Sequence, residues 1–441
     1  MPSYRIVTLG CKLNQADSMA LEARLRHLGL ARHTEDQGAT PDIVVLNTCT
    51  VTGAADRGAR QLARRLRREN PGATLIATGC YAERDPVALS ALPGIDHVVG
   101  MKDQAERVAA LAAGALGLEA GSGAQPLGPF GATSACDPLT DAAERTRAFL
   151  KIQDGCNLRC SYCVIPSVRG DSRSVPPDLV LARIASLFDA GYREIVFTGV
   201  NTGDYGRDLD PQQRLHDLLE RAIDRPAPGR LRLNSLEPKT VTPEIIALIA
   251  GGSGRIARHL QVPLQSGSDA VLRRMRRPYR TSDYRHLLES LRTTVPSIGL
   301  GADVIVGFPG ETDGDFETTV RFIASSPLAY LHVFSYSPRP GTAAAAFGDQ
   351  VPPPVVKERS ARLRALGRDL SLRFRRSFVG SELPVVTLRE IRPDGRLRAL
   401  TDNFIDLGLD LGGRPPGSFI NRLLTARVTG ALEDDTLAAV A

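Results

Sequence analysis

Short apolar runs alternate with amphipathic stretches over the first hundred residues. Residues 4–10, 42–48 and 73–79 are the runs, each followed by a cysteine: Cys11, Cys49 and Cys80. Between them, residues 17–28 carry Met19, Leu21, Leu25 and Leu28 at helical spacing, and residues 56–68 carry Leu62 and Leu66. Apolar strands alternating with helices predict a doubly wound parallel sheet covered on both faces. The alternation resumes after residue 145. Strands are expected at 148–153, 194–199, 230–235, 259–264, 300–306 and 330–336, and helices at 177–190, 214–221, 243–250, 284–293 and 314–325. Six βα units in one run predict a parallel sheet curled into a (βα)6 partial barrel, two units short of a closed one. Beyond Phe378 the helical period is lost. Residues 383–388, 397–407 and 423–429 read as short strands with turns at 393–395 and 412–413, so a small antiparallel β-barrel is expected.

The chain is thus an α/β protein in four segments: 1–114, a linker at 115–144, 145–375 and 378–441. The linker is marked by Gly117, Gly121, Gly123, Pro126, Gly128, Pro129 and Gly131. Cys136 lies in it, and spacing ties it to no other cysteine.

Composition narrows the classes. A chain of 441 residues, 42% hydrophobic and 24% charged, fits about three soluble domains. It has no apolar run long enough to span a bilayer, and the N-terminus lacks the layout of a signal peptide. A cytoplasmic protein without a membrane segment is the expectation. The net charge of +6 is mild. Its distribution is more telling: Arg273, Arg274, Arg276, Arg277 and Arg280 form one cluster. Arg57, Arg60, Arg64, Arg65, Arg67 and Arg68 form a second, and Arg359, Arg362, Arg364, Arg368, Arg373, Arg375 and Arg376 a third. Such clusters suit phosphate backbones, although arginine is this chain's default cation, with only five lysines against it.

The seven cysteines are odd in number and follow no secretory signal, which argues for metal or catalytic use over disulfides. Cys156, Cys160 and Cys163 form a Cys-x3-Cys-x2-Cys run directly after a strand. Three thiolates so spaced can hold three corners of a cubane iron–sulfur cluster and leave one iron open to a chelating substrate. Zinc is the alternative, but it needs a fourth protein ligand, and no histidine occurs between Cys163 and His216. Cys11, Cys49 and Cys80 end three strands of one parallel sheet, where ligand sites form. Three buried core thiols are the plain alternative for them.

The Cys156–Cys163 loop, with Tyr162 before its last cysteine, resembles the signature of the radical S-adenosylmethionine superfamily. Residues 9–14, 47–52 and 78–82 resemble the N-terminal domain of its methylthiotransferases. Residues 265–269, 274–277 and 303–312 resemble the radical domain of those enzymes, and the last segment their TRAM domain, an RNA-binding barrel. Lys12 and the 198–206 stretch are similar to the branch that acts on threonylcarbamoyladenosine in tRNA; the isopentenyladenosine branch usually has Gln at the Lys12 position.

The resemblance implies two [4Fe–4S] clusters, one on Cys156, Cys160 and Cys163 and an auxiliary one on Cys11, Cys49 and Cys80. It implies two molecules of S-adenosyl-L-methionine, one methylating a sulfur at the auxiliary cluster and one yielding a 5′-deoxyadenosyl radical. The product is a methylthio group on C2 of N6-threonylcarbamoyladenosine at position 37 of tRNA. An aromatic C–H carbon offers no acidic proton and no leaving group, so the cofactors carry the difficult step. Cofactor contacts are implied at Tyr162 (adenine), at Gly199, Val200 and Asn201 (the methionine amino group), and at Ser235 and Glu237 (ribose). Gln265 and Ser266 end the fourth barrel strand. The expected partners are a tRNA anticodon stem-loop, met by the Arg273–Arg280 cluster, and an electron donor such as flavodoxin or ferredoxin. The same chemistry on isopentenyladenosine or on a ribosomal-protein aspartate, and a non-catalytic zinc- or RNA-binding protein, are the other readings.

Overall fold

The computed structural model describes residues 1–34, 40–118, 146–252 and 254–441. Cys136 and most of the expected linker lie outside the described residues.

The first sheet contains β1 (Ser3–Thr8), β2 (Ala31–Arg32), β3 (Ile43–Thr48), β4 (Thr74–Gly79) and β5 (His97–Val99), in the order β2-β1-β3-β4-β5. Every pairing is parallel. Alternate β3 residues serve opposite faces. Ile43 and Val45 pack with Leu21, Leu25 and Val108, while Val44 and Leu46 pack with Ala59, Ala63 and Leu66. Helices Lys12–His27 and Gln104–Ala115 therefore cover one face and Gly53–Glu69 the other, the doubly wound arrangement.

The central segment contributes β6 (Arg147–Lys151), the short antiparallel ribbon β7 (Gln153–Asp154) and β8 (Arg173–Ser174), then β9 (Glu194–Thr198), β10 (Arg230–Arg232), β11 (His259–Gln261), β12 (Gly299–Val306) and β13 (Tyr330–Ser335). The six expected barrel strands form two parallel three-stranded sheets, β10-β9-β6 and β11-β12-β13. Residues 255–257 join them: Leu231 and Ala257 exchange backbone bonds with Arg255 and Leu231 before the chain moves on to pair with β12. One hydrophobic core, including Ile195, Leu231, Leu260 and Leu300, runs through both halves.

Helix Pro353–Arg376 leads to β14 (Glu382–Ile391), β15 (Leu397–Thr401), β16 (Asp406–Asp410), β17 (Leu423–Ala431) and β18 (Thr436–Val440), a closed barrel in the order β14-β15-β16-β18-β17. Two expectations are corrected here. Residues 397–407 are a hairpin, because Thr401 Oγ1 donates to Asn403 Oδ1 at 2.6 Å and accepts from the Ile405 N–H at 2.7 Å, closing a turn. The barrel is antiparallel except where β16 meets β18, which run parallel.

Buried charge joins the parts. Arg230 and Arg232 both ion-pair with Glu194 (2.7 and 2.8 Å), and their remaining N–H groups reach carbonyls of Leu400, Thr401 and Asp402 in the C-terminal barrel. Phe404 inserts from that barrel and stacks on His259, ring centroids 4.2 Å apart, closing the strand-start end. On the other side Lys151 pairs with Asp17 at 2.6 Å and Arg339 with Asp56 at 2.5 Å. No helix among the described residues is long and apolar enough to cross a membrane.

Candidate active site: two cysteine triads at one barrel mouth

Parallel register brings the first triad together. Thr8 pairs with Asn47 and Thr48 with Gly79, so β1, β3 and β4 end at one edge and deliver Cys11, Cys49 and Cys80 there. Gly10 turns the chain at φ +102°. A Cβ on it would stand 2.6 Å from Cys49 Cβ and 2.8 Å from Cys49 Sγ, so the space beside the sulfur exists because this residue is glycine. Asn14 Oδ1 lies 3.9 Å from Cys11 Sγ and 3.8 Å from Cys80 Sγ, and Asn14 Nδ2 donates to the Leu9 and Thr48 carbonyls. One side chain therefore holds the three strand ends in register.

The second triad leaves β7 through Gly155, at φ +72°. Cys156 Sγ accepts the Leu158 N–H at 3.4 Å and Cys160 Sγ accepts Arg277 Nη1 at 3.1 Å. The loop is pinned by Ser161, whose N–H and hydroxyl donate to Met275 and Arg274 carbonyls at 3.0 and 2.8 Å. Tyr162 packs edge-on to Phe308, 6.5 Å between centroids.

Burial pushes the thiols of Cys80 and Cys163 up to about 12 and Cys156 to about 11, and raises Cys49 as well. Such thiols are neutral on their own, and a bound cation is what makes them thiolates. Each triad offers three free thiols, the donor set a cubane takes when it spreads its thiolates over separate irons.

Arg169 links the triads and is buried to 1% side-chain exposure. Its Nε donates to Cys80 Sγ at 3.3 Å and its Nη2 to Asn14 Oδ1 and Asp17 Oδ2 at 2.9 and 2.8 Å. Its Nη1 pairs with Asp154 at 3.0 Å, and Asp154 accepts the Gly155 N–H at 2.8 Å, one residue before Cys156. Burial alone would raise the Asp154 carboxyl; the Arg169 guanidinium and Lys151 overcome it and hold it at about 2.

The barrel-end residues are placed as follows. Gln153 Oε1 accepts the N–H groups of both Val200 and Asn201 at 2.9 Å, fixing the Gly199–Asn201 turn. Asn201 is 2% exposed, and its Oδ1 is buried without a partner, an acceptor suited to an amino group. The expected strands 230–235 and 259–264 are shorter, ending at Arg232 and Gln261, and Ser235 and Gln265 lie three and four residues beyond those ends at positive φ, +59° and +65°. Glu237 ion-pairs with Arg277. Ser266 is fully buried and faces Thr319, 3.3 Å between hydroxyls, on helix Asp313–Ala324. Inside the barrel Gln261 and His332 converge on Asp303 Oδ1 at 2.7 and 3.2 Å. Lys12 Nζ donates to Asn234 Oδ1 at 2.9 Å.

The arginine clusters divide. Arg277 turns inward to Cys160 and Glu237, while Arg273, Arg274, Arg276 and Arg280 are exposed, Arg274 also bonding the Gly310 carbonyl. Four of the five cluster members therefore face outward and Arg277 does not. Arg359 is spent on Glu311 and Asp313, and Arg362 on Glu317. Arg277, Arg169, Gln153 and Asn14 were missed from sequence. A signal existed for Arg277: Met275, Arg277 and Tyr279 alternate as buried with exposed neighbours, a pattern the charge cluster masked.

This fold with this loop defines a radical S-adenosylmethionine enzyme carrying a second cysteine triad. Comparison agrees. The profile described as "Radical SAM superfamily" matches residues 150–323, and that described as "Uncharacterized protein family UPF0004" matches residues 3–100. A threonylcarbamoyladenosine tRNA methylthiotransferase of Bacillus subtilis is 37% identical over 410 residues, 92% of this chain and 90% of that one. A tRNA-2-methylthio-N(6)-dimethylallyladenosine synthase of Salinispora arenicola is 33% identical, covering 96% and 86%. Among solved structures, the radical S-adenosylmethionine methyltransferase TsrM from Kitasatospora setae shares the fold, with TM-score 0.56 and 18% identity over 78% of this chain and 74% of that one. The chain belongs to the radical S-adenosylmethionine methylthiotransferase family, in its threonylcarbamoyladenosine branch.

Proposed function

We propose that the protein methylthiolates C2 of N6-threonylcarbamoyladenosine at position 37 of tRNA, consuming two S-adenosylmethionine molecules. The observation that carries this reading is the pair of cysteine triads, joined through Arg169 and Asp154 and opening on one barrel mouth. Two [4Fe–4S] clusters and S-adenosylmethionine would supply the transferable sulfur and methyl group and the radical that reaches an unactivated carbon. Cys156, Cys160 and Cys163 would hold one cluster, and Cys11, Cys49 and Cys80 the other.

The chain's own groups do the rest. Asn201 Oδ1 would accept from the cofactor's amino group, Gln153 holds that turn, and Ser235 and Glu237 would bind the ribose. Gln265 shapes the fourth strand's end, and Ser266 braces it through Thr319. Arg277 keeps positive charge on Cys160. In this assignment residues 1–114 carry the auxiliary triad, 145–375 the radical chemistry and 378–441 an RNA-binding barrel, with 115–144 as linker. The electron comes from a flavodoxin- or ferredoxin-like donor, and the work is done in the cytoplasm, where tRNA is.

The test is direct. Iron- and sulfide-reconstituted full-length protein is incubated with S-adenosylmethionine, reductant and tRNA carrying threonylcarbamoyladenosine, and nucleosides are read by mass spectrometry. The 2-methylthio product should form together with 5′-deoxyadenosine and S-adenosylhomocysteine. Turnover of isopentenyladenosine tRNA alone would contradict the branch.

A further inference from the structure

Lys12 adjoins the first triad, and none of the roles above uses its charge. It follows Cys11, its ammonium donates to Asn234 Oδ1 at 2.9 Å, and it lies 5.7 Å from the Phe404 ring centroid. Asn234 in turn donates to Ser235 Oγ at 3.0 Å, at the mouth of the barrel. The amine therefore projects from the auxiliary triad into the barrel's hollow, with Phe404 as its floor.

Two carboxylates, Asp303 and Glu194, act on it through space, but neither pairs with it. Among the described residues no carboxylate is within ion-pair distance of Lys12. Glu194 is taken by Arg147, Arg230 and Arg232, at 2.7, 2.7 and 2.8 Å. Asp303 is taken by Gln261 and His332. Arg147 Nη2 is itself buried with no partner. Lys12, Arg147 and Arg232 thus share this interior with Glu194 and Asp303, and of the three Lys12 alone has no ion-pair partner among the described residues. A lysine kept for structure is paired, as Lys151 is with Asp17 at 2.6 Å. A sequestered ammonium facing only an amide oxygen and an aromatic ring leaves an anion's place open.

The nucleoside proposed above carries one free carboxylate, on its threonyl group; an isopentenyl group carries none. We propose that Lys12, oriented by Asn234, binds the carboxylate of the adenosine's N6 substituent and so selects an anionic over an apolar modification. This rests on the proposed function. An apolar substituent would leave the ammonium unpaired, and sites that lose a buried polar partner discriminate strongly.

The test measures binding and turnover separately. Full-length protein is titrated with fluorescent anticodon stem-loops bearing threonylcarbamoyladenosine or its carboxamide analogue. The wild type should prefer the carboxylate by about tenfold or more, the worth of a charge-assisted hydrogen bond. Lys12→Gln should bind both alike, and Lys12→Arg should restore much of the preference, with iron content and circular dichroism unchanged in both. A Lys12→Gln protein that keeps the preference would overturn the proposal. So would a wild type that methylthiolates threonylcarbamoyladenosine without preferring the carboxylate, and then the proposed function stands. If the wild type instead modifies only the isopentenyl substrate, the proposed function fails first. A Lys12→Gln protein that loses iron would make the residue structural and also refute the assignment.

Discussion

Replacing Glu194 by Gln should loosen the C-terminal barrel from the central one. Glu194 is fully buried and accepts four charge-assisted hydrogen bonds, from Arg147 Nε (2.7 Å), Arg230 Nε (2.7 Å), Arg232 Nε (3.0 Å) and Arg232 Nη2 (2.8 Å). At ~1.5–3 kcal/mol each these are worth about 6–12 kcal/mol gross. Desolvating four ions offsets most of that. Removing only the anion is different, because it leaves three guanidinium groups uncompensated, and the expected loss is about 3–5 kcal/mol. Arg230 and Arg232 also hold the Leu400, Thr401 and Asp402 carbonyls, so the loss should centre on β14–β18. Hydrogen exchange read by mass spectrometry suits this question, since it resolves segments of a multi-domain chain. Protection of peptides from 382–410 should fall by about a hundredfold or more, while peptides from β1–β5 keep theirs. The pH dependence is fixed in sign. Burial acts to raise the Glu194 carboxyl, but Arg232, Arg230 and Arg147 hold it well below its usual 4.5. Its stabilisation is therefore complete above about pH 4.5 and is lost only as pH falls through the lowered value. The variant's deficit should be constant from pH 8 to 5. A variant within about 1 kcal/mol of wild type, or a loss spread evenly over the chain, would refute this account.

Three further outcomes follow from the site. Gly10→Ala places a Cβ against Cys49 at a positive φ, so reconstituted protein should fall from about eight iron atoms per chain to about four, with the Cys156–Cys163 cluster's reduced electron-spin-resonance signal retained. Arg277→Met removes the N–H donor on Cys160 Sγ, and a cluster there should become harder to reduce; a redox titration showing an equal or higher midpoint would count against that contact's role. Arg276→Glu, at an exposed position, should weaken stem-loop binding about three- to tenfold and flatten its salt dependence without loss of iron.

Much of this was legible along the chain. The doubly wound sheet follows from runs such as residues 43–48, apolar on both faces, and the first triad from three strands each ending in cysteine. The Cys156–Cys163 loop is a local motif, so its spacing shows directly. What stayed hidden is what depends on distant partners. Arg169 meets Asn14 and Asp17 from more than 150 positions away, and Arg277 meets Cys160 from 117. A buried arginine and a solvated one look the same in sequence, so the clusters at 273–280 and 359–376 read as phosphate-binding faces although several members are internal ties. The hairpin at 402–405 was hidden by apolar residues on both sides, and the turn depends on Thr401 and Asn403 side chains.

The central claim is the reaction itself. Total tRNA from cells lacking this gene, with and without its restoration, would be digested and its nucleosides measured by mass spectrometry. The account predicts that 2-methylthio-N6-threonylcarbamoyladenosine disappears, that its unmethylthiolated precursor accumulates, and that the intact gene reverses both while a Cys156→Ala copy does not. An unchanged level of that nucleoside in the deleted strain would contradict it.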